Sequence, residues 1–410
     1  SSALPAPVLR LFYAEVITNK GAGSMSISRR SFTVGLAALG LAACSTGNRA
    51  GSFAPRSDAG LAPDLQPQPN AGYDAWVSAF KSRAAAQGIS DSTLRRGFAG
   101  AGYLPGVVKR DRNQTEFSRS LEDYLAIAAS EERVTKGRAA FARHQGVLRQ
   151  IEARYGVPAE VVTAVWGLES FYGERRGNVP VVSATSTLAY DGRRGAFFEK
   201  QLIAALRILE RGDVSAAGLT GSWAGAMGHT QFIPTSYQSF AVDFTGDGKR
   251  DIWSDDPSDS LASTAAYLAK SGWKSGQKWG AEMGTAAASS ATPVQILQPD
   301  AGGPRFAIFN NFKAIKRYNN SDNYAIGVGH LSDRIAGGGP IQASFGPDKY
   351  GLTIEDRKAL QERLTARGFD TDGTDGVIGP NSRKAITAYQ QSQGLPATGD
   401  PSRELLARLG

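Results

Sequence analysis

The chain has 410 residues, 41% hydrophobic and 20% charged, with 46 Lys and Arg against 38 Asp and Glu and a net charge of +8. That length suits two or more globular domains, and the basic balance points to an anionic partner or surface; without a Lys/Arg-rich run interleaved with aromatics, nothing argues for nucleic acid. One cysteine excludes an intrachain disulfide, and three scattered histidines, His144, His229 and His330, exclude zinc-type Cys/His spacing.

From Met25 the chain reads as an export signal. Arg29 and Arg30 precede Phe32, and Val34 to Ala43 is an apolar run too short to span a bilayer. Leu41-Ala42-Ala43-Cys44 resembles a bacterial lipobox. In such signals the peptidase cuts before the cysteine and the thiol takes a diacylglyceryl group, so Cys44 is the expected lipidation site and the membrane a partner through that anchor. Ser45 after it, by resemblance to enterobacterial lipoproteins, favours the outer membrane, on the periplasmic side of the cell envelope. Residues 1–24 precede a complete signal and read as a mis-called start. Residues 44–70, rich in Ser, Gly, Ala, Pro and Gln, predict a flexible tether.

Tyr73 to Ala99 predicts a helix with Trp76, Val77 and Phe80 on one face and Asp91 as a cap before Leu94. Phe117 to Ala129 and Arg138 to Tyr155 predict two more. The next starts with Pro158 in its first turn, carries Val161, Val165, Trp166, Leu168 and Tyr172 at helical spacing, and stops at Gly173. One carboxylate, Glu169, stands in that run with Val165, Trp166 and Tyr172 as its i−4, i−3 and i+3 neighbours. A carboxyl so surrounded is desolvated and stays protonated near neutral pH, as a general acid acting on a glycosidic oxygen requires. The competing reading pairs Glu169 with Arg175 or Arg176. Gly195 to Leu209 and Ser260 to Ser271 predict amphipathic helices, and Thr285 to Thr292 a surface excursion. A Gly/Pro linker covers 337–350. A small three-helix unit follows over 351–410, opened by a capping-box pair, Thr353 and Asp356. The fold class is therefore mainly α. Ser222, His229 and Asp243 could form a nucleophilic triad by inventory, but Gly221-Ser222-Trp223-Ala224-Gly225 is not the G-x-S-x-G elbow.

Three further segments sharpen the reading: Gly221-Ser222-Trp223-Ala224-Gly225-Ala226-Met227-Gly228 running on through Gln231-Phe232-Ile233-Pro234; Ala241-Val242-Asp243-Phe244-Thr245-Gly246-Asp247-Gly248; and Arg317-Tyr318-Asn319-Asn320-Ser321-Asp322-Asn323-Tyr324-Ala325. With Glu169, in this order, they closely resemble the membrane-bound lytic murein transglycosylase B family over a catalytic domain at 71–336. The tail, through Leu360-Gln361, Asp375-Gly376, Gly379-Pro380 and Tyr389-Gln390, resembles a type 1 peptidoglycan-binding domain. The resemblance implies a lysozyme-like catalytic domain with an EF-hand-like loop, acting on peptidoglycan glycan strands as a monomer without an organic cofactor. Glu169 matches the catalytic glutamate, Ser222 a serine orienting it or the substrate's acetamido group, Gln231 a cleft glutamine, and Tyr318 and Tyr324 groove tyrosines.

The implied reaction uses one carboxylate as acid, then base, and closes a 1,6-anhydro ring on the muramoyl sugar. A hydrolytic muramidase would need a second carboxylate, for which Glu174, Asp191 and Glu199 are at hand. A non-catalytic wall-binding scaffold is the remaining alternative. Asp243, Thr245, Asp247 and Lys249 occupy alternate positions of a calcium-type loop with Gly248 at the sixth, but Ser254 stands where an EF-hand needs its bidentate acid. The resembling family has a later aspartate, which implies Asp259 as the last ligand of a structural Ca²⁺, with Asp255 and Asp256 competing.

Overall fold

A computed structural model describes residues 60–113 and 119–410. The export signal, Cys44, most of the tether and Phe117 lie outside the described residues. The helices before the first strand are α1 (Ala71–Ala86), α2 (Asp91–Phe98), α3 (Pro105–Arg112), α4 (Leu121–Ala128), α5 (Glu131–Arg143), α6 (Gln145–Tyr155) and α7 (Ala159–Ser170). Then come β1 (Val179–Pro180), α8 (Val181–Asp191), α9 (Gly195–Arg211), β2 (Thr220–Gly221), α10 (Pro234–Phe240) and α11 (Ser258–Lys270). An antiparallel sheet of order β3-β5-β4, from β3 (Gly280–Glu282), β4 (Gln295–Leu297) and β5 (Phe306–Ile308), precedes α12 (Asn310–Tyr318) and α13 (Asp322–Ile335). The tail holds α14 (Ile354–Ala366), α15 (Pro380–Ser392) and α16 (Arg403–Arg408). No helix among the described residues is long and apolar enough to cross a membrane.

The organising element is α7. Of its residues only Glu160 escapes burial. A helix apolar on all sides must be wrapped by others, and α5, α6, α11 and α13 pack round it. Close approach is set by glycine: a Cβ on Gly327 of α13 would lie 2.7 Å from the Tyr124 ring, and one on Gly167 of α7 would lie 2.6 Å from that of Tyr172.

Several boundaries differ from expectation. The stretch 73–99 is two helices, broken at Gly88 (φ 85°), and Ser90, not Asp91, caps the second by accepting from the Thr93 N–H. The stretch 138–155 likewise spans two helices that meet at His144. Pro158 is the N-cap of α7 and lies outside its first turn. α8 was not foreseen; its run of Ser and Thr satisfies its own backbone, with Thr185 donating to the Val181 carbonyl and Ser186 to that of Val182. The end of the expected tether is packed, since Leu65 is buried beside Leu104 and Val107. The stretch 337–350 is pinned as well: the N–H groups of Gln342 and Ala343 donate to Glu282. In the tail, the Thr353–Asp356 capping box forms with both of its hydrogen bonds.

Candidate active site

Glu169 sits in the last turn of α7, 5% exposed. Burial pushes its carboxyl up to about 8, against one opposing influence, the hydroxyl of Tyr324 on α13, which donates to Oε1 at 2.8 Å. The expected alternative partners are engaged elsewhere. Arg176 donates to the carbonyls of Trp253 and Ser254 and pairs with Asp255, and Arg175 lies over the Phe171 ring at 4.5 Å.

Beyond Glu169 the chain turns sharply. Phe171 and Tyr172 both adopt left-handed backbone, at φ 53° and 59°, a conformation costly to a residue with a Cβ. The helix therefore stops at Phe171, before Gly173, with the Phe171 N–H donating to the Gly167 carbonyl. The turn is held from outside: the Tyr172 ring lies in a notch between Gly137 and Gly167 and its hydroxyl donates to the Arg133 carbonyl at 2.8 Å.

A cavity of about 30 Å³ adjoins Glu169, lined also by Gln231, Phe232, Ile233, Ser236, Tyr267, Tyr318 and Asn319. It has room for a water or two, and Glu169 is its one carboxylate among the described residues. Tyr318 stacks on Tyr324 with rings 9° from parallel and donates to the Thr230 carbonyl at 2.6 Å. Gln231, itself left-handed at φ 53°, is anchored by Nε2 donating to the carbonyls of Gly228 and Arg176. Gln231, Tyr318 and Tyr324 thus gather at Glu169. Ser222 is not among the cavity residues; its Oγ accepts from the Ala226 N–H. Sequence reasoning overlooked Asn319. It is 3% exposed, lines the cavity, and its Oδ1 has no hydrogen-bond partner among the described residues, an arrangement that calls for an explanation. Its unmet acceptor could not be told from the neighbouring Asn320 by sequence.

The candidate second carboxylates are all committed at other places: Glu174 to Lys136, Asp191 to Arg112 and Glu199 to Arg83.

In the acidic loop, carboxylate oxygens of Asp243, Asp247 and Asp259 lie within 4.8 Å of one another, and the Thr245 hydroxyl is 3.4 Å from Asp243 Oδ1. Asp259, on the first turn of α11, accepts from the N–H groups of Phe244, Thr245 and Asp251, which fastens the loop to the helix. Asp255 pairs with Arg176, Asp256 accepts from the Ser258 N–H, and neither belongs to that carboxylate group. Clustered carboxylates are hard oxygen donors suited to Ca²⁺, and Lys249 would join them through its carbonyl.

Residues 72–295 and 282–333 match the family described as Transglycosylase SLT domain, and 353–409 match a peptidoglycan binding domain. Membrane-bound lytic murein transglycosylase B of Escherichia coli K12 is 31% identical over 223 residues, covering 47% of this chain and 61% of that protein. The chain thus spans about three fifths of the length of that curated relative. Among solved structures, SltB3 from Pseudomonas aeruginosa in complex with NAG-NAM-pentapeptide is 44% identical, with a TM-score of 0.64, covering 83% of this chain and all of that one. The same protein is also known with NAG-anhNAM-pentapeptide. The Escherichia coli lytic transglycosylase Slt35 in complex with calcium is 26% identical, with a TM-score of 0.55, covering 66% of this chain and 96% of that one.

Proposed function

We propose that this chain, which belongs to the Transglycosylase SLT domain family, is a peptidoglycan lytic transglycosylase that cleaves the bond between N-acetylmuramic acid and N-acetylglucosamine and leaves a 1,6-anhydro end. The observation that carries the reading is a single buried carboxyl with no second carboxylate at its cavity among the described residues. At neutral pH Glu169 holds a proton and gives it to the glycosidic oxygen as the C1–O bond breaks. The substrate's acetamido group stabilises C1. The ionised Glu169, steadied by the Tyr324 hydroxyl, then takes the proton of the muramoyl 6-hydroxyl, whose oxygen closes on C1. Water enters neither step. Gln231, Tyr318 and Asn319 line the cavity beside Glu169 and are assigned to sugar contacts, the Asn319 Oδ1 to a substrate N–H. Ser222 is assigned to the acetamido side, on the family resemblance alone.

The test is mass spectrometry of products from purified peptidoglycan, beside Glu169→Gln. Products one water lighter than reducing-end muropeptides, absent with the variant, support the reading. Reducing-end products make the enzyme a hydrolase, and binding without cleavage makes it a scaffold.

The acidic loop is assigned to a structural Ca²⁺ held by Asp243, Thr245, Asp247, Lys249 and Asp259, in keeping with the calcium complex of the Escherichia coli neighbour. The tail is assigned to wall binding, which raises the local concentration of glycan strands. Export and lipidation at Cys44 complete the proposal and place the enzyme on the periplasmic side of the envelope, anchored to the outer membrane.

A further inference from the structure

Resting on the reading above, we propose that His229 is a positioning residue for Glu169: its imidazole ties the last turn of α7 to the loop behind it and thereby keeps the glutamate's pocket closed to water. Trp166 Nε1 donates to His229 Nδ1 at 3.1 Å. The ring proton must then sit on Nε2, which donates to the Ser254 carbonyl at 2.7 Å. On the same turn of α7 the Ser170 hydroxyl donates to the His229 carbonyl. Gly173 lies against the ring so closely that a Cβ there would fall 2.5 Å from Nδ1. Residues 166 and 173, on both sides of Glu169, are therefore registered on the imidazole, and residue 170 on the backbone that carries it.

The arrangement works only with a neutral imidazole, one nitrogen accepting and the other donating in opposed directions. Burial, with the Arg176 charge adding to it, lowers the ring to about 4, while its bond to Ser254 pulls the other way. The charged and titratable groups facing it are Arg176, whose Nη1 stands 3.1 Å from Nε2, Asp255, and His144 across the Trp166 ring. Behind His229 the fastening continues. Asp251 Oδ1 accepts from the N–H groups of Trp253 and Ser254, and the Asp251 N–H donates to Asp259. A hydrogen-bonded chain thus runs from the acidic loop through His229 to the turn that carries Glu169.

The experiment measures kcat against pH, by release of anhydro products, for the wild type, His229→Leu, His229→Gln and Trp166→Phe, with a ¹³C NMR titration of Glu169 assigned by Glu169→Gln. Leucine fills the site but neither accepts nor donates. It should lower kcat about tenfold and move the alkaline limb and the Glu169 titration down by roughly one pH unit, as water enters the pocket. The Gln amide can accept from Trp166 and donate to Ser254, so His229→Gln should stay within about threefold of the wild type with an unshifted limb. Trp166→Phe should shift the limb as Leu does, and the double variant should be no worse than either single one. A folded Leu variant with an unshifted titration, or a Gln variant no better than Leu, would overturn the proposal. If the Leu variant does not fold, an unshifted Trp166→Phe overturns it. A wild type that makes no anhydro product refutes the functional reading instead, and the NMR titration still judges His229.

Discussion

Two buried carboxylates in this chain have opposite characters. Asp213, just past the end of α9, is 3% exposed and is met by Arg250 twice, at 2.9 and 3.2 Å, and by Arg211 at 3.1 Å. Burial raises its carboxyl, yet the hydrogen bonds and charge of Arg250 outweigh that and hold it below the ordinary range. Glu169 is as little exposed but lies deeper among protein atoms, its one hydrogen-bond partner among the described residues is a tyrosine hydroxyl, and it rises to about 8. Burial alone therefore does not make an acid. What distinguishes the α7 pocket is its depth, together with the lack of a cation among the described residues close enough to pull the carboxyl back down.

The comparison breaks most sharply at Glu169→Gln. Loss of a group that serves as both acid and base should reduce anhydro-product formation by about 1,000-fold or more. The same change should stabilise the fold. Glu169 binds its proton more tightly in the folded chain than in the unfolded one, so wild-type stability falls as pH rises from 4.5 toward about 8. Glutamine escapes that loss, which is worth at most about 5 kcal/mol for a carboxyl moved this far. A higher melting temperature than wild type above pH 8, with the difference vanishing below pH 4.5, is the expected outcome of thermal scans. Equal melting curves at pH 9 would mean that Glu169 is not held in a dry site.

Asp213→Asn is the opposite case. It strands Arg250, whose side chain is mostly buried, and should cost about 3 kcal/mol near pH 7. The sign against pH is reversed: a lowered carboxyl contributes stability above its unfolded value and loses it as pH falls through the folded one. The gap in melting temperature between wild type and variant should therefore close below about pH 4, while kcat measured well below melting stays that of the wild type.

The acidic loop supplies a third kind of site. Asp243 and Asp259 have backbone N–H partners, and no salt bridge reaches Asp243, Asp247 or Asp259 among the described residues. If a cation is what such a site lacks, Ca²⁺ at a hundred times its Kd should stabilise the fold by about 2.7 kcal/mol, roughly 5 °C or more in melting temperature. Asp259→Asn should abolish that response. An unchanged melting temperature in Ca²⁺ against chelator would leave the loop as a hydrogen-bonded turn.

How much of this was legible in the sequence depends on the range of the interaction. Glu169 was readable as the one carboxylate late in an apolar helical run, although the residues that line its cavity come from far along the chain. The Thr353–Asp356 capping box was readable because its two residues lie within one helical turn. Asp259 emerged from its spacing after the loop and from family resemblance together. α8 was hidden because Ser and Thr lower helix propensity, and only the fold shows their hydroxyls returned to its own carbonyls. The left-handed pair Phe171–Tyr172 leaves no sequence mark, since the notch that holds Tyr172 is cut by Gly137, far away in the chain. His229 was weighed only as a triad member. Its partners Trp166 and Ser254 lie 63 and 25 positions away.

The finest test concerns the Tyr324 hydroxyl that reaches Glu169. Tyr324 donates to the carboxylate form, so it opposes the rise that burial causes. In Tyr324→Phe the ring still stacks on Tyr318 and burial is kept, but the opposing bond is gone. The Glu169 titration should move up, by roughly half to one pH unit, and the alkaline limb with it. Acid delivery at neutral pH then stays intact while the ionised state needed for the second proton transfer loses its hydrogen bond, so kcat should fall about tenfold. The upward shift separates this variant from His229→Leu, where entering water moves the titration down. A Tyr324→Phe limb displaced downward would mean that the hydroxyl mainly excludes water, and the contrast with Asp213 would then rest on dryness alone.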